Sequence, residues 1–262
     1  PVGSAISGLS LAGNLVLTGG TTVLGAASHT VGGNIIGAGT LDASAMTTGH
    51  TLAVSGSVGV PGGTALAALS GPQTTAAFTV GGGWNVTSYT SNGATLTFSG
   101  ATTPVVLASN GQTRGPVTIN KTLTTDTVQL SGDLSCGVIT LTQGVLDTDS
   151  ADINAAGFVD SGANASFSGA GQTVTLTGWN VASPDFNNLT VNGTVTMTGA
   201  VSVAGTFNQT GGGLSTGAFT LSLNGAGNSV SGGTLTVSSG GIISAAGVGS
   251  GLTVSGGILS VV

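Results

Sequence analysis

Glycine returns every six residues through "GTVTMTGAVSVAGTFNQTGGGLSTG", at Gly193, Gly199, Gly205, Gly211 and Gly217. The second residue after each glycine is usually apolar, as at Val195, Val201, Phe207 and Phe219. The fourth is often apolar too, as at Met197, Val203 and Leu221. Thr194, Thr196, Thr198, Ser202 and Thr206 fill the places between. Alternation with period two sends one set of side chains to each face of a strand. The text therefore specifies very short, half-buried strands, with a glycine where the backbone turns.

Longer echoes surround the hexads. "LTVSSGGIIS" from Leu235 returns as "LTVSGGILS" from Leu252, and "GNLVLTGG" from Gly13 as "GNIIGAGT" from Gly33. Longer still, "TFSG" from Thr97 returns as "SFSG" from Ser166, "GVLDT" from Gly144 as "GGLST" from Gly212, and "PVTIN" from Pro116 as "NLTVN" from Asn188. "GWNV" from Gly83 and from Gly178 is a further echo that fits none of these offsets. Repeats of this kind signal a solenoid, in which each coil buries its apolar face against its neighbours. Coils of about 17–21 residues are expected, stacked about 4.8 Å apart, with apolar ladders inside and hydroxyls and amides outside. Asn92-Gly93, Asn110-Gly111, Asn192-Gly193 and Asn224-Gly225 supply the corners.

The expected fold is thus all-β: a parallel β-helix of roughly 13 coils, a rod of roughly 60 Å, in one domain spanning residues 1–262. The repeat is clearest over 78–262 and weaker over 1–77. A pair of hairpin sandwiches is the rival, but its turn signals come every 8–12 residues and these come closer together. Left-handed hexapeptide helices share the six-residue period, yet hold it strictly over many turns. Here it lapses, so right-handed winding is expected.

Composition removes other classes. Only 4% of residues are charged, and both cations, Arg114 and Lys121, are outnumbered by eight acids, all aspartate. A net charge of −6 without a basic patch argues against nucleic acid. Disordered chains are charged and poor in β-branched residues; this one is the reverse. Glycine is not at every third position, which excludes collagen. No run of about 20 apolar residues marks a transmembrane helix, and one tyrosine cannot furnish the aromatic girdles of an outer-membrane barrel. The single cysteine, Cys136, excludes an internal disulfide. The first twenty residues carry no Lys or Arg, and the chain opens on Pro1. The sequence therefore reads as a processed or excised piece of a longer precursor.

"ITLTQGVLDTDS" from Ile139, "SFSGAGQTV" from Ser166 and "FNNLTVNGTVTMTGAVSVAGTFNQTGG" from Phe186 resemble the β-strand repeats of very large bacterial surface proteins. These are the autotransporter-passenger-like and filamentous-haemagglutinin-like β-helices. The resemblance covers about Phe78 to Val262, and the first 77 residues only in style. It implies an exported, cell-surface or extracellular rod used for adhesion, spacing or coat formation. It carries over no catalytic residue.

Candidate sites each meet a plainer reading. "DTDSAD" offers Asp147, Asp149 and Asp152 as oxygen ligands for calcium, but no glycine turn or distal glutamate completes a calcium loop, so a solvated acidic corner is expected. Arg114 and Lys121, seven residues apart, are the types that serve polysaccharide lyases as bases; two scattered cations are also what a low charge content leaves behind. Asp147 and Asp149 point the same way on a strand, but no raised-pKa partner marks a glycosidase pair. His29 and His50, about one coil apart, are expected to stack at a corner rather than hold a metal. Cys136 aligns with Ala204 across the long repeat and reads as a buried small residue. Trp84 and Trp179 each precede Asn-Val and cap a coil interior rather than stack on sugar rings. Asn85, Asn120, Asn164, Asn188, Asn192 and Asn208 begin Asn-x-Ser/Thr triplets, which chance also produces in so polar a text.

These readings converge on an extracellular structural or adhesive solenoid. No enzyme activity, cofactor, metal or catalytic residue is expected. The chain is expected to stack end to end on itself, with Ile258 and Val261 in the joint; host or cell-surface carbohydrate is the other partner considered. Two alternatives are a carbohydrate-active β-helix resembling a tailspike depolymerase or polysaccharide lyase, and a threonine-ladder surface that binds ice.

Overall fold

A computed structural model describes residues 4–149, 151–160, 164–167, 173–176, 188–191, 193–197 and 199–262. Every named strand pair is parallel, and among the described residues there is no helix. Two 13-stranded sheets and one three-stranded sheet take up alternate strands, so each strand pairs with its equivalent one coil away. The chain is a β-solenoid.

Following registers rather than sheets shows three sides to the coil. The hexad region displays them singly. Thr194–Thr196, Val201–Val203 and Phe207–Gln209 lie in three different sheets, and Gly213–Ser215 returns to stack on Thr194–Thr196. One hexad is therefore one side, and three sides close a coil. In the first coil the sides are β1 (Ser10–Leu11), β2 (Leu15–Leu17) and β3 (Thr21–Val23). In the next, a single strand, Ile35–Asp42, covers two sides, pairing with β2 through Ile35–Gly37 and with β3 through Thr40–Asp42. Gly37 makes the bend, with φ of 121°, and a Cβ there would run into the Leu17 carbonyl. Leu134–Gln143 and Ile153–Asp160 likewise span two sides, which carries the first sheet from the first face to the third.

The interior follows from alternation. On the first face, Leu9, His29, Leu52, Phe78, Leu96, Val117 and Ile139 form one inward column. Leu11, Val31, Val54, Val80, Phe98, Ile119 and Leu141 form a second. All but the two first-coil leucines are buried. Each fully buried Val, Leu or Phe contributes about 1.5–3 kcal/mol. Between the columns Thr30, Ala53, Thr79, Thr97, Thr118 and Thr140 face outward. Corners are bonded coil to coil: the Asn34 amide donates to Asn14 Oδ1, the Ser57 amide to Asn34 Oδ1 (both 2.7 Å), and the Gly83 amide to Ser57 Oγ (2.9 Å). Asn110 and Gly111 both adopt the left-handed backbone expected of an Asn-Gly corner.

Two expectations are corrected. Coil length varies more than foreseen, from 18 residues between Ala77 and Thr95 to 29 between Gly37 and Leu66, because insertions loop out between the paired sides. The echo at Leu235 and Leu252 is not one coil. Leu235 pairs with Leu259, whereas Leu252 pairs with Asn228 in another sheet.

Candidate functional site

Both cations lie inside. Arg114, 3% exposed, follows the corner after Val105–Ala108. Its Nη2 donates to the carbonyls of Ala108 (2.9 Å) and Ser109 (3.1 Å), and Nη1 to that of Gln112 (3.2 Å). Its Cζ stands 5.6 Å from the Trp84 ring centroid. Trp84 is fully buried, edge-on to Tyr89 at 5.1 Å and tilted against Phe78 at 5.8 Å. Trp84 therefore fills the coil, as expected, and presents no face to a sugar. Burial pulls the guanidinium down to about 10, opposed by Tyr89 and Cys136. Burial lifts the Cys136 thiol to about 12, opposed by Arg114. Cys136 is thus the small interior residue expected, paired in register with Ala155; a thiol so protonated is no nucleophile. Arg114 Nε, Trp84 Nε1 and Gln112 Oε1 have no hydrogen-bond partner.

Lys121, 2% exposed, extends an inward column from Val117 and Ile119, and its Nζ donates to the carbonyls of Ser99 (3.1 Å) and Gly81 (3.4 Å). Burial lowers its pKa, and the buried Asp126 carboxylate opposes that. Asp126 Oδ2 accepts the Leu123 amide at 3.0 Å. Gly144, at φ of 110°, leaves room for this pair, since a Cβ there would lie 2.9 Å from Lys121 Cγ. Neither cation reaches the surface to serve as a base, and the exterior carries no Lys or Arg.

Asp147 Oδ1 accepts the Asp149 amide at 3.1 Å, and Asp133 Oδ1 accepts the Asp152 amide at 2.9 Å. Among the described residues no three His, Cys, Asp or Glu side chains are grouped to hold a metal ion. The histidine ladder is corrected: the in-register neighbour of His29 is Leu52, and His50 sits before that strand with Nδ1 accepting the Thr47 amide at 3.2 Å. Of the Asn-x-Ser/Thr positions, Asn120 is exposed, while Asn85, Asn188 and Asn208 use their side chains to bond neighbouring coils. Trp179, Asn192 and the side chain of Asn164 fall outside what the structure describes.

The coil formed by Ile242–Ser244, Leu252–Val254 and Ile258–Val261 is the most exposed apolar feature among the described residues. Leu259 continues the column Val195, Leu214, Leu235, but is 42% exposed where Leu235 is fully buried. Val261 stacks on Val237 and is 75% exposed; Val254 stacks on Val230 and is 42% exposed. Three parallel strand edges and an open interior face outward together. Sequence reading put Ile258 and Val261 in this surface; the register shows Ile258 facing out of the coil and Leu259 facing in. The signal available was the alternation counted back to Leu235. No protein-family model, curated protein or solved structure matches the chain.

Proposed function

We propose that the chain is a non-enzymatic structural solenoid, extracellular or on a cell surface, that extends by stacking coil on coil with a second copy. The observation that carries this reading is the unbroken register: Leu259 stacks on Leu235 as Leu235 stacks on Leu214, so the coil around Leu259 makes the same demands as those beneath it. Only parallel strands presented on three faces, with apolar residues at the inward places, can complete its hydrogen bonds and cover its columns. A second copy offers them in phase. The path runs first face, second face, third face through Ile258–Val261, and β1, β2 and β3 take up the same order. Ile6, which bridges Leu24, occupies a third-face edge and gives way to the incoming strand. The contact is head to tail and does not close, so it builds filaments. With only 4% of residues charged, the exterior holds few like charges to oppose close approach. Adhesion to carbohydrate is the further role suggested by the resemblance to surface β-helices.

Sedimentation and negative-stain imaging over a concentration series test the proposal. Filaments should lengthen with concentration, and Leu259→Lys with Val261→Lys should hold the protein at single-copy length without altering its β spectrum. Monomers at every concentration would refute stacking, as would filaments indifferent to both lysines.

A further inference from the structure

We propose that His29 is an acid-sensitive latch holding β1 against the strand His29–Val31. His29 is 1% exposed and is the one polar member of the column Leu9, His29, Leu52, Phe78, Leu96, Val117, Ile139. Both ring nitrogens are engaged by backbone: the Leu9 amide lies 3.1 Å from Nδ1, and the Gly25 carbonyl 3.1 Å from Nε2. An amide only donates and a carbonyl only accepts. Nδ1 is therefore the acceptor and Nε2 carries the proton, so the neutral ring is the form that fits.

A second proton has one place to go, Nδ1. There it removes the lone pair that holds Leu9 and sets two N–H groups against each other. Among the described residues no carboxylate is bonded to the His29 ring, whose two nitrogens meet backbone groups. The elements packed on His29 are β1, the turn 25–28 and Thr51–Val54; the other titratable group beside them is His50, at the start of that last segment. Asp42, the one acid before Asp126, ends the strand Ile35–Asp42 on the third face, where its carboxylate accepts the Ser44 amide. The structure that answers is the weakest in reach. Leu9 and Leu11 are half-buried, so little apolar surface retains β1 once the Leu9 bond is lost, whereas Leu17 keeps β2 in the core. Release of β1 uncovers the edge of His29–Val31. The inference does not depend on stacking between copies, and monomer suffices to test it.

Hydrogen exchange read by NMR on the full chain is the experiment. Between about pH 7.5 and about pH 5.5, either side of the ordinary imidazole value of about 6.5, protection factors at Leu9, Thr30 and Gly32 should fall by up to about tenfold. Amides of Val117–Lys121 should keep theirs. His29→Leu, which continues the apolar column, should abolish the pH dependence, and His50→Asn should leave it in place. Unchanged protection in the wild-type chain overturns the latch whatever the charge on the ring. So does the same fall in His29→Leu, or its disappearance in His50→Asn. Should His29→Leu fail to fold, the wild-type profile and His50→Asn decide alone.

Discussion

Leu235 and Leu259 occupy the same place on adjacent coils, in register and pointing into the same column, yet one is fully buried and the other 42% exposed. Truncating each to alanine isolates the effect of a covering coil. At Leu235 the change removes a buried isobutyl group and leaves a cavity that rigid strands cannot collapse, a loss of about 2–5 kcal/mol. At Leu259 little more than half of the side chain is buried and solvent refills the space. The cost is then about half of a full leucine burial, about 1 kcal/mol. In a filament Leu259 becomes a second Leu235, so its cost should climb toward the larger figure as concentration rises. Urea denaturation of both variants below and above the assembly concentration measures this. A Leu259→Ala cost that stays near 1 kcal/mol in assembled material would refute the joint, and a cost equal to that of Leu235→Ala in monomer would refute the open coil.

Other outcomes follow from the interior. The Cys136 thiol should resist alkylation at pH 8 in the native chain and react fully in denaturant. Because burial raises this acid from 9.0 to about 12, its contribution is present below pH 9 and is lost as pH climbs through that window, at most about 4 kcal/mol. Cys136→Ala should remove the loss, while Arg114, a base lowered from 12.5 to about 10, acts in the opposite sense above pH 10. Gly37→Val should cost at least about 2 kcal/mol in thermal or urea unfolding, because it combines positive φ with a clash against the Leu17 carbonyl. Asn34→Ala leaves the Ser57 amide without its acceptor and should cost about 1 kcal/mol by the same assay.

The hexads at Gly193–Gly217 were legible because a strand side needs only alternation and a turn, both local properties. The coil was less so, since closure depends on how many sides fit before the chain returns. The long echoes illustrate the difference. Thr97 lies in a strand of the first face and Ser166 in one of the second; Pro116 precedes a first-face strand and Asn188 opens a second-face one. Gly144 precedes a second-face strand and Gly212 a third-face one. Each echo steps one face onward, so it repeats a side and not a coil. Every side makes the same demand, apolar in and hydroxyl out, and similar text serves on any face. The histidine pairing failed for the related reason that insertions at corners change the offset, from 20 residues at Ser10 and Thr30 to 23 at His29 and Leu52. His29 itself was readable as a polar residue in an apolar place within "HTV", but its bond to Leu9 required the register.

The placement of charge joins these observations to function. An ordinary domain scatters cations over its surface; this one uses both to bind backbone carbonyls within, Arg114 at a corner where strand pairing is interrupted and Lys121 beside Gly144. Buried cations are costly unless their donors are satisfied, and main-chain oxygens at corners are the groups a solenoid leaves unpaired. Drawing them inward gives Arg114 and Lys121 carbonyl acceptors, though Arg114 Nε stays without one, and leaves an exterior of hydroxyls, amides and a few aspartates. Under the stacking proposal the surface that matters is the coil edge beside Leu259, Val254 and Val261, which are exposed. If copies stack there, register supplies the specificity: one residue of slip turns every inward side chain outward, so only a partner with the same spacing and alternation fits.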